Sequence, residues 1–188
     1  ALPTTQPPIV MLEEEIGTVD TLVPTQNDIE RARAVLGEDG MIAYLNCTLD
    51  DVQFASRSRY AREFAEALGL RIVVYDAQND LYRQLSQIEQ ARLEGARAII
   101  LCPAASSGLE ESVTALHMDN IPVVWATLVD SEYGVKLDSD NYAIGQSIGE
   151  YAGQVFADEF AGQADYIIIS RAPFPASVQR RDGILEAI

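Results

Sequence analysis

MIAYLNCTLDDVQFASRSRYAREFAEALGLRIVVYDAQNDLYRQLSQIEQARLEGARAIILCPAASSGLEESVTALHMDNIPVVW, residues 41–125, repeats one unit three times and starts a fourth. Each unit is an apolar β-type run followed by an amphipathic helical stretch. The runs, 41–46, 71–76, 97–102 and 121–125, are too short for buried helices and rich in Val and Ile, so they read as interior strands of a parallel sheet. Between them apolar residues recur at helical spacing: Phe54, Ala61, Phe64, Ala65 and Leu68, then Leu81, Leu85, Ile88 and Ala91, then Leu109, Val113 and Leu116. Strand, helix, strand with short connections means right-handed crossovers and an open, doubly wound α/β sheet. Such sheets bind ligands at the carboxyl ends of their strands, where strand order reverses. The residues to inspect are therefore 47–54, 76–80, 103–107 and 126–130.

Outward from this block the texture changes on both sides. Residues 1–40 carry Pro3, Pro7, Pro8 and Pro24, an acidic run at 13–15, and two Arg against eight Asp and Glu, the pattern of an exposed acidic leader. Within it Asn27 or Asp28 is expected to cap a short helix over 29–36, ended by the turn at 37–40. Residues 41–126 form the first lobe and 127–134 a hinge or crossover. Residues 135–188 open a second lobe: a short strand at 135–137, a cap at Ser139-Asp140-Asn141, and a helix over 142–160. That helix is expected to bury Ile144, Ile148, Tyr151, Ala152 and Val155. A further interior-type strand is expected at 166–170 (YIIIS), and a helix over 178–188. The expectation is one nearly complete lobe and an incomplete second one, because a sheet with so few strands has bare edges that invite pairing with another copy.

Composition removes whole classes of function. Asp and Glu outnumber Lys and Arg by 29 to 13, and Lys136 is the only lysine, so no broad basic surface exists to hold nucleic acid. No apolar run is long enough to cross a bilayer. The opening ALPTTQPP suits an exported chain whose signal was removed, and also a trimmed one. Two cysteines, Cys47 and Cys102, end the first and third strands, which in a doubly wound sheet are usually neighbours. They read either as buried thiols or as a disulfide. Two Cys and the lone His117 make no metal site, and no cofactor is expected. No strand is followed by a Gly-rich phosphate loop or a nucleophile elbow, so an enzyme is not expected. Asp50 and Asp51 have a parallel in response-regulator receivers, but Cys102-Pro103 stands where a phosphoacceptor Asp is needed.

The stretches at 41–80, 87–103 (QIEQARLEGARAIILCP) and 119–125 (DNIPVVW) resemble the periplasmic sugar-binding proteins of type I fold, above all the ribose binders. The resemblance continues through LDSDNYAIGQSIGEYAG to SVQRRDGILEAI, covering about residues 41–188. It implies a two-lobed, non-catalytic solute-binding component of an ABC-type importer, exported, closing on a small sugar or related polar solute and presenting it to a membrane permease. The LacI-type effector domains share the fold, so a ligand-sensing domain of a regulator or receptor is the alternative. A chain with only part of the second lobe implies a truncated or proteolytic piece, or exchange of elements between copies. By the same resemblance the ligand-contacting positions are Asp51, Gln53, Phe54, Thr127, Asp140 and Arg180. Gln53 stands where the family has a first aromatic, and Phe54 matches the second. Thr127-Leu128 replaces an Asp-Arg pair, which puts ribose itself in doubt. Asp51 and Asp140 are equally helix caps, Phe54 equally core, and Arg171 a weaker contact.

Overall fold

The computed structural model describes residues 22–127, 129, 131–170 and 174–188. The chain falls into two compact units, one ending at Val124 and the other running from Trp125 to Ile188.

In the first unit, α1 (Gln26–Leu36) starts with a capping box. The Thr25 hydroxyl accepts from the Asp28 N–H at 3.3 Å, and the Asp28 carboxylate accepts from the Thr25 N–H at 3.0 Å. The cap is therefore Thr25, not Asn27 or Asp28, because Asp28 works as the third helical residue that reaches back. The alternation then follows the sequence: β1 (Met41–Asn46), α2 (Val52–Ala67), β2 (Ile72–Asp76), α3 (Leu81–Leu93), β3 (Ala96–Leu101), α4 (Glu110–Met118) and β4 (Val123–Trp125). β1 lies between β2 and β3 and runs parallel to both, with Asn46 opposite Asp76 and Leu45 opposite Leu101. β4 begins two residues later than expected. Pro122 has no N–H to give the ladder, yet its carbonyl accepts from the Ile99 N–H at 2.9 Å.

Central position explains why the β1 run is apolar at both parities: Met41, Ala43, Tyr44 and Leu45 are all buried. Ile88 and Ala91 of α3, and Leu109, Val113 and Leu116 at α4, close over the sheet as their spacing predicts. α2 departs from its pattern. Ser58 and Ala65 are its buried residues, and Phe64 is exposed.

In the second unit, β5 (Val135–Lys136) is the last of five strands in the order β2-β1-β3-β4-β5. It leads into α5 (Asn141–Phe160), and α6 (Pro175–Ala187) follows. Two expectations fail here. The run 166–170 forms no strand, and Ile167 and Ile169 are 90% and 96% exposed. A strand exists only through its ladder partners, and among the described residues none pairs with this run. Nor does α5 bury its large apolar residues: Ile144, Ile148 and Tyr151 are exposed, and Ala152 and Val155 only half-buried. The buried face is Asn141, Gly145 and Gly149. There α6 approaches so closely that a Cβ on Gly145 would stand 2.2 Å from the Arg180 carbonyl oxygen.

Candidate functional site

The carboxyl edge of the first unit is built by side chains reaching back to backbone. Asp76, the last residue of β2, accepts through Oδ1 from the N–H of Leu49 at 3.1 Å and of Gln78 at 3.0 Å. One carboxylate thus orders the loops after both β1 and β2. Its backbone carbonyl accepts from Arg83 Nε at 2.9 Å and from Gln87 Nε2 at 2.8 Å, tying the same corner to α3. Gln78 and Asn79 carry φ of 54° and 57°, the left-handed conformation that lets the chain turn between β2 and α3.

Asn46, fully buried at the end of β1, donates through Nδ2 to the Phe54 carbonyl at 3.1 Å and so anchors the first turn of α2. Gln84 does the corresponding work for β3. It is fully buried on α3, donates to the Cys102 carbonyl at 2.8 Å and accepts from the Ala104 N–H at 2.8 Å. Burial pushes the phenol of Tyr44, on β1, up to about 12.

On this frame the loop after β1 presents Asp50, Asp51 and Gln53 to solvent. Asp51 is the N-cap of α2, its Oδ1 accepting from the Gln53 N–H at 2.7 Å. Phe54 is half-buried, with the Arg57 guanidinium 5.8 Å from its ring centroid. Asp51→Ala is expected to cost about 1 kcal/mol of stability and Asp51→Asn only a few tenths, because Asn caps nearly as well. Urea unfolding of the two variants checks this, and Asn is then the clean substitution for probing charge at this position.

The remaining predicted positions lie in the second unit, as a separate group. Thr127 is half-buried beyond β4, while Leu128 and Arg171 fall outside the described residues. Asp140 is the N-cap of α5, accepting from the Ala143 N–H at 2.9 Å. Arg180, exposed on α6, donates from Nε to Asn141 Oδ1 at 2.8 Å, and Asn141 Nδ2 donates to Asp138 at 2.9 Å. That chain fixes the guanidinium through one nitrogen and leaves its two terminal amines unbonded among the described residues. The sequence reading did not single out Asn46 or Gln84, and it placed Asp76 among the loop residues and Asn141 within the cap of α5 without their anchoring roles. Their signal was a polar side chain at a strand end or on the apolar face of a helix.

A cavity of the first unit lies elsewhere, lined by Arg31, Val35, Leu36, Ile42, Arg97 and Pro122. Ile42 and Arg97 stand at the amino-terminal starts of β1 and β3, so this hollow faces away from the carboxyl edge. The edge is the better site, since the loops there converge and carry the polar groups.

Known proteins agree with this geometry. Residues 42–188 match the model of the periplasmic binding protein domain family. The chain is 31% identical over 119 residues to the ribose import binding protein of Haemophilus influenzae, covering 62% of this chain and 41% of that protein. It is 26% identical over 151 residues to the ribose import binding protein of Escherichia coli, covering 78% and 49%. It therefore spans about half the length of the curated relatives it matches. Among solved structures, a Caulobacter myo-inositol binding protein bound to myo-inositol superposes with a TM-score of 0.68 at 22% identity, over 88% of this chain and 52% of that one. A galactofuranose binding protein gives 0.70 at 19%, over 79% and 51%. A parallel α/β sheet with its polar loops gathered at one edge, and a family model matched from β1 to the last residue, together establish that this chain belongs to the periplasmic binding protein domain family.

Proposed function

We propose that this chain is part of a solute-binding protein that takes up a small sugar or polyol, without chemistry, for an ABC-type importer. The observation that supports this most is the carboxyl edge of the first unit, where Asp76, Asn46 and Gln84 hold three loops in place and the carboxylates beyond β1 stay available. Sugar hydroxyls donate well to carboxylates, and loops fixed in advance lose little entropy when the solute binds. The matched relatives are ribose import binding proteins, and structural neighbours hold myo-inositol, glycerol and glucose. Export to the periplasm and delivery to a membrane permease follow from the same kinship and are part of the proposal. So is the division into a lobe over 41–126, a crossover over 127–134 and a second lobe from 135.

The ligand contacts we assign are Asp51, Gln53 and Phe54 in the first unit and Thr127, Asp140 and Arg180 in the second. A clamp of this kind works by differential affinity: contacts that exist only in the closed state shift the population toward it. Ribose is not the favoured solute, because Gln53 cannot stack on a sugar face as an aromatic ring does, and Thr127 offers no charge.

The test is calorimetric titration of the protein, expressed from its complete reading frame, with pentoses, hexoses and polyols. Saturable binding of one of them is the expected result, and silence toward all of them with binding of a non-carbohydrate solute sinks the proposal. Arg180→Ala is expected to weaken that binding by roughly 10- to 100-fold, the worth of a hydrogen bond from a charged group. An unchanged affinity removes Arg180 from the site.

A further inference from the structure

The carboxyl edge holds one pair of groups that sugar binding does not use. Cys47 and Cys102 are each the first residue beyond a strand, β1 and β3, and these strands are parallel neighbours. The Cys102 N–H donates to the Leu45 carbonyl at 2.9 Å, which holds the two strand ends in register up to the cysteines. Both side chains are buried, at 5% and 4% exposure, and their sulfur atoms stand 2.7 Å apart. That is well inside the contact distance of two unbonded sulfurs. These are the chain's two cysteines, so neither has another cysteine to pair with inside it.

We infer that Cys47 and Cys102 form an intramolecular disulfide that staples the carboxyl ends of β1 and β3 beneath the loops of the proposed binding edge. The oxidant is a disulfide, of a small thiol or of an oxidoreductase. Cys102 is the attacking group: the Cys47 thiol beside it holds its pKa below the usual thiol range, and the Arg57 guanidinium adds to this. Its thiolate attacks one sulfur of the oxidant, expelling one thiolate and leaving a mixed disulfide on Cys102. Cys47 then loses its proton and attacks the Cys102 sulfur, expelling the second thiolate. Two protein thiols and one oxidant disulfide become one protein disulfide and two free thiols.

The staple fixes the loop that carries Asp51 and Gln53 to the one Gln84 holds at Ala104, and it closes a long segment between residues 55 apart. The oxidised protein is therefore expected to melt roughly 10 °C above the reduced one.

The experiment equilibrates the purified protein with reduced and oxidised glutathione over a range of ratios, quenches it in acid, unfolds it, adds N-ethylmaleimide and reads the intact mass. The expected species under oxidising ratios is a monomer lighter by two hydrogens that takes no maleimide until reduced. Two maleimides at every ratio, a glutathione adduct that never resolves, or a crosslink between chains each overturn the inference. The Cys47→Ala/Cys102→Ala double variant is expected to melt at one temperature under both conditions. A redox-dependent shift that survives in it also overturns the inference, and the mass measurement stands whether or not that variant folds.

Discussion

Gln84→Ala is expected to destabilise the first unit by about 3 kcal/mol, a large share of what a domain of this size has to lose. The side chain is fully buried and is bonded at both ends, to the Cys102 carbonyl and to the Ala104 N–H, each at 2.8 Å. Truncation leaves a carbonyl and an N–H without partners where water reaches poorly, at roughly 1–3 kcal/mol each, and opens a cavity besides. Gln84→Met separates the two causes. It refills most of the volume but restores neither bond, so it should recover less than half of the loss. Gln84→Glu keeps an acceptor for Ala104 but turns a second oxygen toward the Cys102 carbonyl, and is expected to be worse than Met near neutral pH. Urea unfolding followed by circular dichroism gives the free energies. Hydrogen exchange at residues 104–108 should rise with Ala and with Met alike, because both free the loop after β3. If Met restores full stability, the hydrogen bonds carry nothing and the frame of the edge must be assigned to packing.

That residue also shows where a single sequence is readable and where it is not. The strands of the first unit were legible because interior parallel strands are apolar on both faces, which no other short element shares. The neighbouring of β1 and β3, and hence of the two cysteines, followed from the topology such runs adopt. Asp140 was legible as a cap because the helix behind it begins sharply. Gln84, Asn46 and Asp76 were not legible. Each serves a backbone group that lies distant in sequence, so its role depends on where a neighbouring strand stops. The same limit misplaced the YIIIS run at 166–170, whose composition is that of a buried strand although no described residue offers it a ladder. Phe64 misled in a related way: periodicity finds an apolar face, yet Ala65 beside it is buried while Phe64 stays exposed. The comparisons supply the family for the candidate contacts, and the roles of Asp51, Gln53, Phe54, Thr127, Asp140 and Arg180 rest on the titration proposed above.

Gly145→Ala tests the second unit in the same manner, and here opposing effects of known sign meet. In an ordinary helix the change stabilises by about 1 kcal/mol, since Ala loses less backbone freedom than Gly. At Gly145 the new methyl would stand 2.2 Å from the Arg180 carbonyl oxygen, and at Gly149 it would meet the Ile184 oxygen at 2.6 Å. Across the contact, a Cβ on Gly183 would stand 2.3 Å from the Tyr142 oxygen, so neither helix can yield by moving one side chain. The helices must part, and overpacking of this kind costs roughly 1–3 kcal/mol or more, enough to reverse the sign of the propensity gain. Gly153 continues the same stripe one turn further on. There the nearest atom, the Ile188 oxygen, is 3.6 Å away, an ordinary contact. Gly153→Ala is therefore expected to be neutral or to stabilise by up to about 1 kcal/mol, while Gly145→Ala destabilises by about 2 kcal/mol. Thermal unfolding of the two variants side by side measures the difference. Because Arg180 hangs from Asn141 across this contact, Gly145→Ala should also weaken solute binding if Arg180 belongs to the site, whereas Gly153→Ala should leave it unchanged. Stabilisation by both substitutions would mean that α5 and α6 do not pack at their glycines, and the geometry assigned to Arg180 would go with it.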